Sequence, residues 1–298
     1  MRDPDIEAPA LSKFAEHAWV FPRTYAACPA RSREVLETGV FPHAAAKSQA
    51  TLAGVLRAAG YHEGDAKQAP FFWNVTLDNP ALTGAAPEDL HLRENVPADA
   101  GDAARTELAK KYAGYAAMDR EFGKLLESID LTNTIVVFTS DGGEQIGSHG
   151  LDEGDTFYEE SVRVPLAMAV PGYPGSPNDA LVSQVDIAPT LASMCGVDLG
   201  ETQGRDLSPL IVKGSGEHRE SVLAEGKFGQ REEWRMLVVG VDKLVTDAAG
   251  DATHLFNLAA DPFEMKNVVR EKSSELKRAQ MLAIMRAERS KVLDFRRR

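Results

Sequence analysis

The residues best placed for chemistry lie in the segment T-S-D-G-G-E-Q-I-G-S-H-G-L, residues 139–151. It follows the β-branched and aromatic run T-I-V-V-F-T-S, residues 134–140, which predicts a buried strand. Reactive groups in open α/β sheets gather at the carboxyl ends of strands. Asp141 could bind a cation or cap the turn before its two glycines. His149 could transfer a proton or hydrogen-bond within the loop.

Two cysteines, Cys28 and Cys195, are the thiols of the chain, too few for a disulfide framework. Cys28 precedes P-A-R-S-R, where a short helix is predicted to begin near Ala30 and to end before Gly39. A thiol at a helix start can have a lowered pKa and act as a nucleophile. Cys28 could equally be a small buried side chain, so both interpretations stay open.

Strands and helices alternate over the first two thirds of the chain. Helices are predicted over 8–18, 51–59, 103–129 and 186–195, and strands over 71–77, 134–140 and 164–170. The run F-F-W-N-V-T-L at 71–77 suits a strand buried on both faces, and 81–102 reads as a long loop. This alternation predicts an α/β fold with a mixed, mostly parallel sheet flanked by helices.

The pattern changes after about residue 215. W-R-M-L-V-V-G, D-K-L-V-T-D and T-H-L-F-N-L are short strand-like pieces, and an amphipathic helix follows them. We therefore predict an α/β domain over 1–214 and a small antiparallel α+β subdomain over 215–298.

Composition limits the partners and the compartment. The formal net charge of -12 argues against nucleic acid as a partner. No apolar run reaches the roughly 18 residues of a membrane span, and the start lacks a signal-peptide pattern. We expect a cytoplasmic protein, or a periplasmic or secreted one if the gene starts upstream with a signal peptide.

Several segments resemble the sulfatases of the alkaline phosphatase superfamily, from about residue 8 to 285. They are T-S-D-G-G-E, H-G-L, T-F-Y-E-E-S-V-R-V-P-L, V-D-I-A-P-T-L-A-S-M-C-G-V and H-L-F-N-L-A-A-D-P-F-E-M-K-N-V. The resemblance implies an alkaline-phosphatase-like fold and hydrolysis of sulfuric esters, with small sulfate esters or sulfated glycans as substrates. It also implies a bound calcium and a formylglycine nucleophile made from a cysteine.

The resemblance assigns roles to four residues. Cys28 is the nucleophile position, Arg33 and His149 are catalytic, and Asp141 is a calcium ligand. Counted from Cys28, however, Ser32 stands where the family has arginine.

Other family positions are changed. Gly142 replaces a metal-binding Asn or His, Gly154 replaces a lysine, and the positions of two histidines fall on Asp78 and Ala81. Carboxylates are expected to crowd the anion site instead: Asp141, Glu144, Asp152, Glu153 and Asp155. We therefore expect a sulfatase scaffold with impaired catalysis, a pseudoenzyme that binds calcium weakly or not at all. The alternatives are a hydrolase that tolerates an unmodified Cys28, a non-catalytic binding or interaction module, or cation binding by the acidic segment itself.

The chain begins after the family's first strand, which carries two further calcium-binding aspartates. Its neighbours would then keep unpaired backbone groups. Another strand, a longer gene product or a second copy of the chain could pair with them, so a homo-oligomer is one expected state.

Overall fold

The structure is a computed structural model that describes residues 8–44, 49–77, 90–152 and 154–295. Asp78, Ala81 and Glu153 lie outside the described residues. The helices are α1 (Pro9–Ala15), α2 (Ser32–Thr38), α3 (Leu52–Ala58), α4 (Gly101–Glu127), α5 (Glu159–Val162), α6 (Ile187–Met194), α7 (Ser208–Lys213) and α8 (Glu275–Phe295).

The strands are short in the first part of the chain and longer after residue 220. They are β1 (Trp19–Val20), β2 (Thr24–Tyr25), β3 (His62–Glu63), β4 (Phe71–Phe72), β5 (Val136–Thr139), β6 (Arg163–Val164), β7 (Leu166–Ala169), β8 (Val182–Ser183), β9 (Ser221–Gly226), β10 (Trp234–Val239), β11 (Asp242–Asp247) and β12 (Ala252–Asn257).

The predicted helices and strands form close to their expected positions, with the local signals that define their ends. α2 ends at Gly39, whose φ of 65° lies in the left-handed region. A side chain there would also collide with neighbours, because a Cβ would lie 2.4 Å from Thr202 Oγ1. The run 71–77 is the exception: its strand covers two half-buried residues, and Trp73 and Val75 are exposed, so a strand buried on both faces was wrong.

The α/β fold class is confirmed, and the sheets are mixed. One sheet has the order β1-β7-β5 with both pairs antiparallel. A second has the order β6-β2-β8, where β2 pairs parallel with β8 and antiparallel with β6, and β3 pairs parallel with β4. Antiparallel pairs thus outnumber parallel ones in the described residues. The described chain between β5 and β7 contains two short helical turns, Ser148–Gly150 and α5, rather than a crossover helix, and β7 runs back against β5.

β5 lies at the edge of its sheet. Within the described ranges, β7 is the strand that pairs with it. All four of its side chains are half-exposed, although Val136 and Phe138 contact the cluster around Phe122, and Val137 contacts the cluster on the other face. β5 is therefore an apolar strand. On its outer edge, the described residues provide no strand that pairs with its backbone.

The C-terminal part is an antiparallel sheet in the order β12-β11-β10-β9, followed by α8. The sequence patterns predict β10, β11, β12 and the helix but not β9. Buried residues of this sheet and α8, such as Leu237 and Met281, share one hydrophobic cluster with Cys28 and Val35. The C-terminal sheet thus packs directly against α2 and the residues before it. The domain boundary at 214/215 stays a prediction.

None of the helices in the described residues combines the length and apolar character needed to cross a membrane.

Candidate functional site

The structure brings two of the predicted site residues together, Arg33 and Asp141. Arg33 lies in the first turn of α2, and Asp141 follows β5. The Arg33 Nε donates to Asp141 Oδ2 at 3.4 Å. Their side chains are 68% and 57% exposed, so the pair contributes little to stability but sets the charge at this point of the surface.

The backbone around this pair is held by Gln184, which is fully buried. The Ser32 hydroxyl donates to Gln184 Oε1 at 2.8 Å, and Gln184 Nε2 donates to the Ser140 carbonyl at 2.6 Å. One amide thus joins the start of α2 to the end of β5. Sequence reasoning missed Gln184, because its partners are remote in the chain.

Cys28 is buried, with 4% of its surface exposed. Burial, and then the nearby carboxylates of Glu225 and Asp155, raise the pKa of its thiol to about 12. Of the two interpretations of Cys28, the structure supports the small buried side chain and not the thiol of lowered pKa. The residues after Cys28, Pro29–Arg31, form one short 3-10 turn, and desolvation of the thiolate outweighs the favourable N–H group of Arg31.

His149 has partners of its own. Its backbone N–H donates to the Asn95 carbonyl at 2.7 Å, and Asn95 Nδ2 lies 3.0 Å from its Nε2. Its ring stacks on Tyr158 with a centroid distance of 3.7 Å. Burial lowers its pKa, against the opposing effect of Glu160. These contacts support the interpretation of His149 as a neutral loop hydrogen-bonding residue, and its catalytic role remains a prediction.

Two carboxylates of the acidic segment after β5 have basic partners. Glu144 pairs with Lys111 of α4 at 2.6 Å, and Asp141 pairs with Arg33. Asp155 accepts a hydrogen bond from the Lys227 backbone N–H at 3.2 Å. Cations from α2 and α4 thus lie beside two of the five carboxylates, Asp141 and Glu144, while the effect of this segment on anion binding stays a prediction.

Gly154 and Gly142 stand where the resemblance expects functional side chains, and they differ in the space around them. A Cβ on Gly154 would lie 2.7 Å from the Gly143 carbonyl oxygen, so this backbone does not accept a lysine. A Cβ on Gly142 would lie 3.6 Å from Pro29 Cβ, an ordinary contact.

Calcium does not fit the residues that the structure describes. Within those ranges, no three His, Cys, Asp or Glu side chains come close enough to hold a metal ion. A hard dication needs about six or more oxygen ligands. Asp141 supplies one carboxylate, which already pairs with Arg33.

A buried ionic cluster lies elsewhere in the fold and was missed by sequence reasoning. Lys243 of β11 is fully buried, with its Nζ 3.0 Å from Glu159 Oε1 and 2.8 Å from Glu264 Oε1. Glu264 Oε2 accepts the Glu159 backbone N–H at 2.7 Å. The one available signal was a lysine inside a strand pattern, D-K-L-V-T-D.

A second buried group surrounds Asp186. Arg219 donates to both of its carboxylate oxygens, and His218 Nε2 lies 3.1 Å from Oδ2. Although burial acts in the opposite direction, Arg219 and His218 hold the pKa of Asp186 well below its usual range.

Two family models match the chain. The model described as "Sulfatase" matches residues 63–197, and that described as "N-sulphoglucosamine sulphohydrolase, C-terminal" matches residues 147–291.

Curated relatives agree with these matches. The chain is 32% identical over 183 residues to a choline-sulfatase of Rhizobium meliloti, covering 58% of this chain and 35% of the relative. It is 27% identical over 195 residues to an N-acetylglucosamine-6-O-sulfatase of Bacteroides thetaiotaomicron, covering 60% and 35%. The matched region thus spans about a third of each relative's length.

Solved structures share the fold. A protein described as the sulfatase yidJ of Bacteroides fragilis superimposes with a TM-score of 0.81 at 19% identity, over 99% of this chain and 93% of that one. The phosphonate monoester hydrolase of Agrobacterium radiobacter gives a TM-score of 0.76 at 17% identity, over 98% and 92%. Family models, relatives and fold lead to the same conclusion: the chain belongs to the sulfatase family.

Proposed function

We propose that this chain is a sulfuric ester hydrolase by descent whose catalysis is impaired. The observation that carries the proposal is the state of Cys28, the nucleophile position of the resemblance. Its side chain is buried in an apolar cluster, and its pKa is about 12. At pH 7 about one thiol in 10⁵ is then ionised, so attack of an unmodified Cys28 on a sulfate ester is not favoured in the folded chain.

The charges around the Arg33–Asp141 pair support the same proposal. A sulfate ester is an anion, and its transition state gains stability from cations that are free to face it. Arg33 of α2 and Lys111 of α4, two cations beside the loop after β5, are already paired with Asp141 and Glu144 of that loop. An anion that approaches either of them meets a carboxylate beside it.

The substrate class follows from the relatives and stays part of the proposal. Choline sulfate and sulfated N-acetylglucosamine are named for two of them. If activity survives, we expect it on a small sulfate ester or a sulfated glycan, with calcium as the metal of the wider family.

The alternative is a second function, that of a non-catalytic interaction module on the sulfatase scaffold. Within the described ranges β7 is the strand that pairs with β5, and an apolar strand edge that stays unpaired can bind another chain. This alternative predicts no turnover but recovery of a partner.

Turnover of 4-nitrophenyl sulfate, with and without calcium, tests the proposal. Cys28→Ala is the test variant, and Cys195→Ala at the second cysteine is its matched control. We expect wild type, C28A and C195A to release nitrophenol at the same background rate, and the intact mass to show an unoxidised thiol at Cys28. Calcium-dependent turnover that C28A abolishes and C195A retains would refute the proposal.

A further inference from the structure

We propose that His149 and Asn95 form a pH-sensitive switch, which holds the segment 145–151 in place while His149 is neutral and releases it when His149 takes up a proton. This segment continues the loop after β5 and follows Glu144 directly. Its release therefore acts on the surface where Glu144 pairs with Lys111. The switch goes beyond the proposed function, because it needs neither Cys28 nor a metal.

The Asn95 amide fixes the state of the His149 ring. Asn95 is buried, with 2% of its surface exposed. Its Nδ2 lies 2.6 Å from Glu160 Oε1, 3.4 Å from the Phe263 carbonyl oxygen and 3.0 Å from His149 Nε2. Carboxylate and carbonyl oxygens accept hydrogen bonds, so the amide nitrogen rather than the amide oxygen must face them. His149 Nε2 is then an acceptor, and the neutral ring carries its proton on Nδ1.

A charged His149 is incompatible with this arrangement. Both ring nitrogens of a protonated histidine are donors, so the Nε2–H group would point at the amide hydrogens of Asn95. Turning the amide round would bring its oxygen against Glu160 Oε1, which is also an acceptor. Because the amide is buried, either arrangement leaves a polar group without the hydrogen bond that it needs. Protonation of His149 and the hydrogen bonds of Asn95 therefore exclude each other, and Asn95 must move away.

Contacts rather than backbone preference hold the segment 145–151. Ile146 and His149 have φ angles of 49° and 56°, in the left-handed region that few residues other than glycine adopt. Such conformations persist only where surrounding contacts hold them. For His149 these contacts are the Asn95 carbonyl, which accepts its backbone N–H at 2.7 Å, and the ring of Tyr158, stacked at 3.7 Å. When Asn95 moves away, the strained backbone at His149 is free to relax.

Charged groups of several elements act on the His149 ring. Burial lowers its pKa, Glu160 opposes this, Lys243 adds to it, and Asp261 opposes it. The groups that face or adjoin the ring come from α5, β11, β12 and two loops: Glu160, Lys243, His254, Asp261 and, through the neighbouring Ser148 hydroxyl, Arg93. Burial is the largest of these effects, so the closed arrangement disfavours the charged ring.

The segment is held above about pH 6.5 and is released below it. A released His149 has the ordinary pKa of 6.5, and the buried ring has a lower one. The preference for the closed segment is therefore fully present above pH 6.5 and is lost as the pH falls through the lower value. Lys243 reinforces this direction. Burial raises the pKa of its partner Glu264 to about 7, so acid neutralises Glu264 and leaves the lysine charge less compensated.

Hydrogen exchange of the full chain, measured by mass spectrometry, tests the release. His149→Phe keeps a ring on Tyr158 but cannot take up a proton, and His62→Phe, at an exposed histidine of β3, is its matched control. Between about pH 7.5 and about pH 5, we expect the protection factors of 145–151 to fall at least about tenfold in wild type and H62F, the effect of one lost buried hydrogen bond, and less than about twofold in H149F.

The strands β10 and β11 should keep their protection over the same range, which shows that the release is local. Equal protection of 145–151 in wild type at both pH values overturns the proposal. An equal fall in H149F and wild type also overturns it.

The ring tautomer tests the geometry on the wild-type chain. Nitrogen NMR near neutral pH should show His149 with its proton on Nδ1 and an unprotonated Nε2, because Nε2 accepts from Asn95. The signals are assigned by their loss in H149F. A proton on Nε2 at this pH would overturn the role of Asn95.

Discussion

The buried cluster of Lys243, Glu159 and Glu264 gives the stability of the fold a pH dependence that one substitution should remove. Burial, opposed by Lys243 and reinforced by Glu159, raises the pKa of Glu264 from 4.5 to about 7. Folding therefore favours the protonated carboxyl. The associated stability is fully present below about pH 4.5 and is lost as the pH rises through about 7.

The size of the effect follows from the shift. A difference of about 2.5 pKa units corresponds to about 3 kcal/mol between the ends of this pH range. Glu264→Gln removes the titration but keeps the shape of the side chain. We expect the stability of wild type, measured relative to E264Q, to fall by about 3 kcal/mol between pH 4 and pH 8.

Urea unfolding at half-unit pH intervals measures both free energies of unfolding. Taking the difference between variants cancels the opposing contributions of Asp186 and of the buried histidines. The control is Glu107→Gln, on the exposed face of α4 beside Lys110, whose stability should parallel that of wild type. If the curves of wild type and E264Q run parallel across the range, the reasoning about this cluster is refuted.

Three further predictions concern single sites. Asp186→Asn should lower the free energy of unfolding by about 3–5 kcal/mol, measured in urea, because the buried guanidinium of Arg219 loses its counter-charge. Gly154→Ala should cost about 1–3 kcal/mol, because its Cβ collides with a carbonyl, whereas Gly142→Ala should stay within about 0.5 kcal/mol of wild type in thermal melts. The Cys28 thiol should resist a disulfide reagent at pH 8 in the folded chain and react promptly in denaturant; rapid reaction in the folded chain would contradict its raised pKa.

The fold was predictable where local signals act alone. The left-handed glycine at Gly39 ends α2 as expected, and the periodic apolar stripe of α4 gives a helix over Gly101–Glu127. The prediction of a strand buried on both faces at 71–77 was wrong, because apolar composition alone does not determine burial. Burial depends on which strands lie alongside, and the sequence of one segment does not specify which strands those are.

The site was predictable in its residue types but not in its electrostatics. Arg33 and Asp141 were both predicted as site residues, and their side chains form a hydrogen bond in the structure. The compensation of Glu144 by Lys111 could not be read from the sequence, because α4 and the loop after β5 come together only in the folded chain. The pKa of the Cys28 thiol is raised by burial and then by Glu225, and both depend on which residues lie nearby in the folded chain rather than in the sequence.

Gln184 separates the shape of this region from its chemistry. A primary amide carries an accepting oxygen and a donating NH2 group at a fixed separation, and Gln184 uses both groups to join Ser32 and Ser140. Neutral, buried groups therefore join α2 to the end of β5 beneath the exposed Arg33–Asp141 pair. Over evolutionary time, the exposed charged groups can be exchanged while the frame persists, so a lineage can discard one reaction, or acquire another, without having to fold anew.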